Sequence, residues 1–377
     1  MARKKHQPIQ PPGKEWIRSL QNHLLGWYDE VKRDLPWRKD QDPYKIWVSE
    51  IMLQQTRVDT VIPYYLRFME KFPTVRDLAE ADEDDVIKAW EGLGYYSRAR
   101  NLQAAAKEVC ERHGGVVPRD PASISRLKGI GPYTAGAILS IAYNLRVPAV
   151  DGNVMRVMSR WFVLKEDVTK VSTRRLLEEL DLALIPEDRP GDFNQALMEL
   201  GALVCTPIHP ACDSCPVRQE CKARALGIQH ELPVKKKAKP PAPVPMVVGW
   251  IRNHGRVLLE RRPEEGLLAG MWGLPSLERE GAENPVGLLT NRLSSLGIHL
   301  ASETLLGEVE HVFSHRRWQV TVIEGEAIST ESSLSDAFRW VKEDELEAYA
   351  FPKVYHKAMR LAQQKTDKEA AVQGRLF

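Results

Sequence analysis

Four of the chain's five cysteines, Cys205, Cys212, Cys215 and Cys221, follow the spacing C-x6-C-x2-C-x5-C. Thiolates crowded in this way suggest a metal before they suggest disulfides. Four of them hold either zinc or an iron–sulfur cluster. Cys110 stands apart, as a small residue suited to a core. A second constellation is Leu127-Lys128-Gly129-Ile130-Gly131, within SISRLKGIGPYTAGAILSIAYN. Its glycines permit a tight turn that a side chain would obstruct. The helix that follows opens with unpaired N–H groups and a positive dipole end, which together bind a phosphate without reading sequence. An ordinary helical hairpin with a glycine turn is the plainer alternative, although LxGIGxxTA is more specific than that. Two carboxylates complete the set, Glu50 in WVSEIMLQQTRV and Asp151 in VPAVDGNVMRV. Paired carboxylates break glycosidic bonds, one protonating the leaving group and the other stabilising the cationic sugar. By position alone, Asp151 suits the cap of a helix starting near Asn153, and Glu50 is a surface glutamate beside an apolar stripe.

The elements that must position these residues change character along the chain. Trp47, Ile51, Val58 and Ile62 recur at helical spacing, as do Leu102, Ala105, Ala106 and Val109, and strand-like alternation is scarce over the first 230 residues. The stretch ELPVKKKAKPPAPVPM is rich in Pro and Lys and lacks apolar periodicity, so it reads as an extended linker. Beyond it, VPMVVGWIR, GRVLLERR and WQVTVIEGEA look like strands and 285–297 like a helix, which implies α+β. Charge is uneven: residues 246–377 carry a net −3 and the first 245 a net +5, out of +2 for the whole chain. The basic excess marks the first part as the place for a polyanion.

The hairpin, with VPAVDGNVMRV after it, resembles the helix-hairpin-helix DNA glycosylase superfamily over about residues 15–225. The surrounding SEIMLQQT is similar to the MutY family, adenine glycosylases acting on A opposite 8-oxoguanine or guanine. The resemblance implies a general-acid role for Glu50 and a sugar-stabilising role for Asp151, with Tyr133 and Asn153 positioning groups. It places Arg38 and Leu53 beside a flipped adenine, has Gln55 and Tyr95 fill or wedge the vacated stack, and assigns Lys128, Gly129 and Gly131 to DNA. The plainer role of Tyr95 and Tyr96 is core packing. A partly desolvated Glu50 with a raised pKa would donate its proton near neutral pH, and the helix end would keep Asp151 ionised. Strand-cutting relatives carry a lysine nucleophile at the position of Tyr133, and tyrosine cannot form a Schiff base. A monofunctional glycosylase is expected. The cysteine spacing matches the four-iron–four-sulfur motif of the endonuclease III and MutY branches. The resemblance implies a 4Fe-4S cluster on Cys205, Cys212, Cys215 and Cys221, in a loop presenting Arg218, Lys222 and Arg224 to phosphate.

In the C-terminal part, GLLAGMWGLPS resembles the MutT-like, Nudix-type domain appended to MutY enzymes. A working Nudix hydrolase needs a helix of pattern RExxEExG for its divalent metal. Aligned on Gly297, this chain has TNRLSSLG, with Ser294 and Ser295 in place of the paired glutamates. Without that charge a hard cation has no site. The loop His311-Val312-Phe313-Ser314-His315 resembles the family's sensor of 8-oxoguanine, with Phe313 to stack and Ser314 and His315 to make polar contacts. The corner of a small hairpin is the alternative.

The expected fold is multidomain: an all-α helix-hairpin-helix glycosylase domain with an iron–sulfur loop, and an α+β MutT/Nudix-like C-terminal domain. Its expected parts are 1–232 (hairpin about 122–144, cluster loop 205–221), a linker 233–245, a recognition domain 246–365 and a tail 366–377. The expected partner is double-stranded DNA holding A opposite 8-oxoguanine or G, bound by a monomer, with no membrane. The longest charge-free run, between Lys128 and Arg146, is short and broken by glycines and Pro132. The opening MARKKHQPIQPP lacks the apolar stretch of a signal peptide. A soluble, cytoplasmic, bacterial protein held on the nucleoid through DNA is expected. The competing enzyme is a pyrimidine-lesion glycosylase/AP lyase of the endonuclease III type, opposed by Glu50, Tyr133 and the appended domain. A catalytically dead DNA scaffold is opposed by Glu50 and Asp151, and a tethered nucleotide hydrolase by Ser294 and Ser295.

Overall fold

The computed structural model describes residues 13–236, 240–330 and 334–373. The opening MARKKHQPIQPP and residues 374–377 of the expected tail lie outside them. The helices are α1 (Lys14–Val31), α2 (Pro43–Leu53), α3 (Val58–Lys71), α4 (Val75–Glu80), α5 (Glu83–Ala89), α6 (Ser97–His113), α7 (Pro121–Ile124), α8 (Pro132–Tyr143), α9 (Gly152–Phe162), α10 (Val171–Leu184), α11 (Pro190–Leu203), α12 (Lys222–Ala225), α13 (Pro285–Ser295) and α14 (Lys353–Gln373). The strands are β1 (Ala242–Asn253), β2 (Arg256–Arg261), β3 (Trp272–Gly273), β4 (Ser276–Glu278), β5 (Ile298–Val312), β6 (Arg316–Thr330) and β7 (Phe338–Lys342). Residue contacts divide the chain into two compact units, Met1–Ala81 with Arg100–Lys237, and Asp82–Ala99 with Ala238–Phe377.

The first unit is helical. One of its cores joins Leu20, Leu24 and Tyr28 of α1 to Val154, Val157 and Trp161 of α9, Leu177 and Leu180 of α10, and Phe193, Leu197 and Leu200 of α11. The Trp47/Ile51 and Val58/Ile62 repeats fall on two helices, because Gln54–Arg57 forms a turn between α2 and α3. Helix α2 starts at Asp42, whose side chain accepts from the Tyr44 amide at 2.8 Å, with Pro43 first in the helix. The hairpin's two helices are α7 and α8, and Gly131 is the cap of α8. Gly129 has φ +80°, and a Cβ there would meet Asn101 Cβ at 2.8 Å. Gly131 differs: its φ is −91° and a Cβ would meet nothing within 4 Å. The turn therefore requires glycine at 129 only, contrary to the expectation for both.

In the second unit one sheet runs β3-β2-β1-β6-β5, with β4 also on β1 and β7 also on β2. Strands β1 and β6 are parallel and the other pairs antiparallel. Met246, Val248 and Trp250 of β1 face one core with Val354, Tyr355 and Ala358 of α14. Val247 and Ile251 face the other with Leu289 and Leu293 of α13. Helices on both faces explain why VPMVVGWI reads as a nearly continuous apolar run. Three boundaries differ from expectation. The linker ends earlier, since Ala242–Pro245 pair with Arg316–Gln319 despite their prolines. Helix α14 continues through 366–373, where TDKEAAVQ is made largely of helix-favouring residues. Segment 82–99 groups with the C-terminal sheet, not with 1–81. There Glu91 accepts from the Phe351 amide at 2.9 Å and lies 3.0 Å from His356 Nε2, while Lys88 donates to the Tyr349 carbonyl at 3.0 Å.

Candidate active site

A cleft of about 950 Å³ opens in the helical unit, lined by Arg38, Glu50, Leu53, Gln55, Gly129, Gly131, Tyr133, Asp151 and Asn153 among others. Three elements bring the acidic pair together. Helix α2 is buried from Ile46 to Met52, and Glu50 shares that burial at 6% exposure. Tyr133 sits in the first turn of α8 and donates its hydroxyl to Glu50 Oε2 at 2.5 Å. Asp151 caps α9, accepting from the Val154 amide at 2.7 Å and from Asn153 Nδ2 at 2.9 Å. Asn153 reaches this place because Gly201 of α11 offers no Cβ; one there would stand 2.6 Å from Asn153 Cβ.

The electrostatics follow from burial. Desolvation pushes Glu50 up to about 7; the Tyr133 hydrogen bond opposes this, the Asp151 charge adds to it and Arg38 subtracts. Burial raises Tyr133 well above the ordinary tyrosine range, so it stays a hydroxyl and a donor. For Asp151 burial outweighs the cap and the Asn153 hydrogen bond, and its carboxyl lies above the usual aspartate range. The helix end, expected to keep Asp151 ionised, is thus opposed by burial.

Glu199 of α11 escaped the sequence reading. It is 1% exposed and accepts from Arg33 Nε at 2.7 Å, Arg33 Nη2 at 2.8 Å and Arg38 Nη2 at 3.0 Å. Burial raises its pKa, but the Arg33 and Arg38 hydrogen bonds prevail and hold it at about 2. Its signal was a charge on the apolar face of FNQALMELGAL, which spacing alone does not separate from a solvated position. Gln195, bound by Arg38 Nε at 3.2 Å, and Met198, 3.7 Å from the Tyr133 hydroxyl, were missed for the same reason. Lys128 is exposed in the hairpin turn. Gln55 has φ +58°, a strained conformation for a residue other than glycine.

The four cysteines ring one small pocket with Arg160, Arg218 and Arg224. Arg160 Nη1 lies 3.1 Å from Cys205 Sγ, and Arg156 Nε donates to the Cys205 carbonyl at 2.8 Å. Burial raises the thiols of Cys212 and Cys221, and that of Cys215 to about 12. Arg218 donates to the Asp213 carbonyl at 3.0 Å and Arg224 approaches the Asp213 carboxylate at 3.8 Å. Among the described residues, no three His, Cys, Asp or Glu side chains have the arrangement of a metal-ion site. Nor is any helix long and apolar enough to cross a membrane among those residues.

In the other unit, 313–315 turn the β5–β6 hairpin. Phe313 is half-buried, its ring 5.1 Å from that of Trp318 and 4.5 Å from that of His311, whereas Ser314 and His315 are exposed. Tyr96 is buried, as a packing role requires, but Tyr95 is 46% exposed, has φ +48° and places its hydroxyl 3.0 Å from Ser314 Oγ. Arg292 of α13 forms an ion pair with Glu260 of β2 and donates to the Ser276 carbonyl at 2.9 Å.

Residues 48–181 match the profile of HhH-GPD superfamily base excision DNA repair proteins, and 247–361 that of the NUDIX domain. The helical fold also matches that of a thermostable thymine-DNA glycosylase, with a TM-score of 0.52 at 29% identity over 56% of this chain and 98% of that one. A non-covalent endonuclease III–DNA complex matches with a TM-score of 0.50 at 22% identity, over 58% of this chain and 99% of that one. The class is thus a helix-hairpin-helix base-excision protein with an appended Nudix fold. Over 92% of its length the chain is 38% identical to the adenine DNA glycosylase of Rattus norvegicus and 37% identical to that of Homo sapiens, covering 78% and 74% of them. It is 33% identical to the adenine DNA glycosylase of Buchnera aphidicola subsp. Baizongia pistaciae, over 78% of this chain and 82% of that one. The chain belongs to the adenine DNA glycosylase family, the MutY family.

Proposed function

We propose that this protein hydrolyses the N-glycosidic bond of an adenine mispaired with 8-oxoguanine or guanine in duplex DNA, without cutting the strand. The observation that carries this reading is the buried Glu50–Tyr133 pair in one cleft with Asp151, the Glu50 carboxyl raised to about 7. The adenine leaves the base stack and enters the cleft, where Leu53 and Arg38 contact it. Glu50, protonated at neutral pH in a large fraction of molecules, gives its proton to N7 of the base. The C1′–N9 bond then breaks with its electron pair going to adenine. Asp151 faces the oxocarbenium-like sugar, and its carboxylate stabilises the growing positive charge. Water adds at C1′ and loses a proton, leaving an abasic site. Tyr133 steadies Glu50, and Asn153 steadies Asp151. Tyr133 also stands where a lyase would carry its lysine, so no imine with the sugar forms.

At the hairpin, Gly131, Gly129 and Lys128 contact the phosphate backbone. The Phe313-Ser314-His315 turn reads the opposite base, and the exposed Tyr95, whose hydroxyl meets Ser314, fills or wedges the vacated stack with Gln55. The Nudix-like fold serves recognition and not hydrolysis, since Arg292 answers the Glu260 carboxylate and Ser294 and Ser295 offer no charge to a cation. Four thiols ringing one pocket, with Arg160 and Arg156 beside Cys205, suit a group larger than one ion and carrying negative charge. Cys205, Cys212, Cys215 and Cys221 would hold a 4Fe-4S cluster, which when bound fixes the 205–221 loop and takes no part in bond cleavage. The protein acts as a monomer in the cytoplasm. The test is Glu50→Gln: the reading expects duplex binding to persist while excision of A opposite 8-oxoguanine falls by about 10²–10⁴-fold, and full excision would overturn it.

A further inference from the structure

Asp151 ends a stretch without regular structure, 147–151, whose backbone is held from behind by side chains. Asn194 of α11 is 0% exposed and donates Nδ2 to the Val147 carbonyl at 2.9 Å and to Ser140 Oγ of α8 at 2.9 Å. Asp181 of α10, also 0% exposed, accepts the Ala149 amide on Oδ2 at 3.3 Å, while its Oδ1 has no partner. Between these two points Gly136 of α8 lies against the stretch so closely that a Cβ would stand 1.9 Å from the Pro148 carbonyl oxygen. Neither Asn194 nor Asp181 lines the cleft, although Val150 and Asp151 do. A fully buried carboxyl with one oxygen unanswered is costly, and a leucine would fill such a place without that desolvation. Burial, with the Asp151 charge adding to it, pushes the Asp181 carboxyl up to about 7. Arg146, the nearest cation along this stretch, spends its guanidinium on the Leu182 and Ile185 carbonyls at 2.7 and 2.8 Å and on Glu187 at 3.5 Å.

We infer that Asp181 and Asn194 are positioning residues for Asp151, setting how far its carboxylate reaches into the cleft through the backbone of 147–151. This rests on the proposed role of Asp151 at the sugar. Misplacement of a reacting group by about 1 Å costs on the order of 10²-fold in rate, so a loosened stretch shows in chemistry before it shows in binding.

The experiment uses the full-length, cluster-loaded protein. Single-turnover excision is measured on a duplex with A opposite 8-oxoguanine, and affinity on the same duplex carrying 2′-fluoro-2′-deoxyadenosine. Asp181→Ala and Asn194→Ala should each slow excision by about 10- to 100-fold with affinity nearly unchanged. Asp181→Asn, which keeps an acceptor for the Ala149 amide, should recover most of the rate. Wild-type rates in both alanine variants, parallel losses of rate and affinity, or Asp181→Asn as slow as Asp181→Ala would each overturn the inference. Should Asp181→Ala not fold, Asn194→Ala must show the split of rate from affinity alone, and its failure to do so overturns the inference equally. Asp151→Asn runs alongside: wild-type excision in that variant removes the Asp151 reading itself, whereas its inactivity beside normal cradle variants removes only the cradle.

Discussion

Glu50 keeps a proton near neutral pH because α2 carries it into a buried wall, not because of any neighbour in sequence. Protonated Glu50 is the active form in this account, so excision should fall about tenfold per unit once pH rises above about 7. A single-turnover pH profile checks this, and a rate still climbing at pH 9 would contradict it. The same shift bears on stability. A carboxyl raised from 4.5 to about 7 favours the protonated folded state, so its contribution is whole below pH 4.5 and is lost as pH rises through 7. The loss amounts to about 3 kcal/mol. Glu50→Gln should therefore melt above the wild type at pH 8 and with it near pH 4.5. Melting curves at both values decide it, and a lower melting point at pH 8 would show that the glutamate stabilises the fold as an anion.

At the scale of the element, the hairpin separates two glycines that look alike in LKGIG. Gly129→Ala forces a side chain into the left-handed region and against Asn101, and should cost about 1–2 kcal/mol of stability. Gly131→Ala meets open space, so it should leave the melting point near the wild type and weaken DNA binding, where a phosphate approaches the start of α8. Melting and duplex affinity measured together distinguish the two; equal loss of stability in both would refute the distinction. The hairpin, the strands β1, β2 and β6 and the helix at 285–295 were legible because each rests on local pattern: glycine spacing, apolar alternation, helical periodicity. Glu50 and Asp151 were legible through resemblance, since position alone described a surface glutamate and a helix cap. Glu199, Asn194 and Asp181 were not legible at all. Their roles come from partners more than thirty residues away, and a polar residue on an apolar helix face gives no sign of such a partner. The contacts of segment 82–99 with the sheet unit were not legible either, because the groups that hold Glu91 and Lys88 lie some 260 residues downstream.

For the whole molecule, we assign the proposed chemistry and the proposed cluster loop to the helical unit, and the proposed sensing turn to the sheet unit. Cys215→Ser should lose bound iron and the absorbance near ~410 nm expected of a 4Fe-4S protein; iron content unchanged from the wild type would exclude this cysteine as a ligand. The central claim concerns the base removed and the bond left intact. It is tested most directly by incubating the wild-type protein with duplexes holding A opposite 8-oxoguanine, A opposite guanine, A opposite thymine, and thymine glycol, scoring strand breaks with and without alkali. The account predicts alkali-dependent breaks in the first two duplexes only. Breaks at thymine glycol without alkali would contradict it, and with it the roles given to Glu50 and Tyr133.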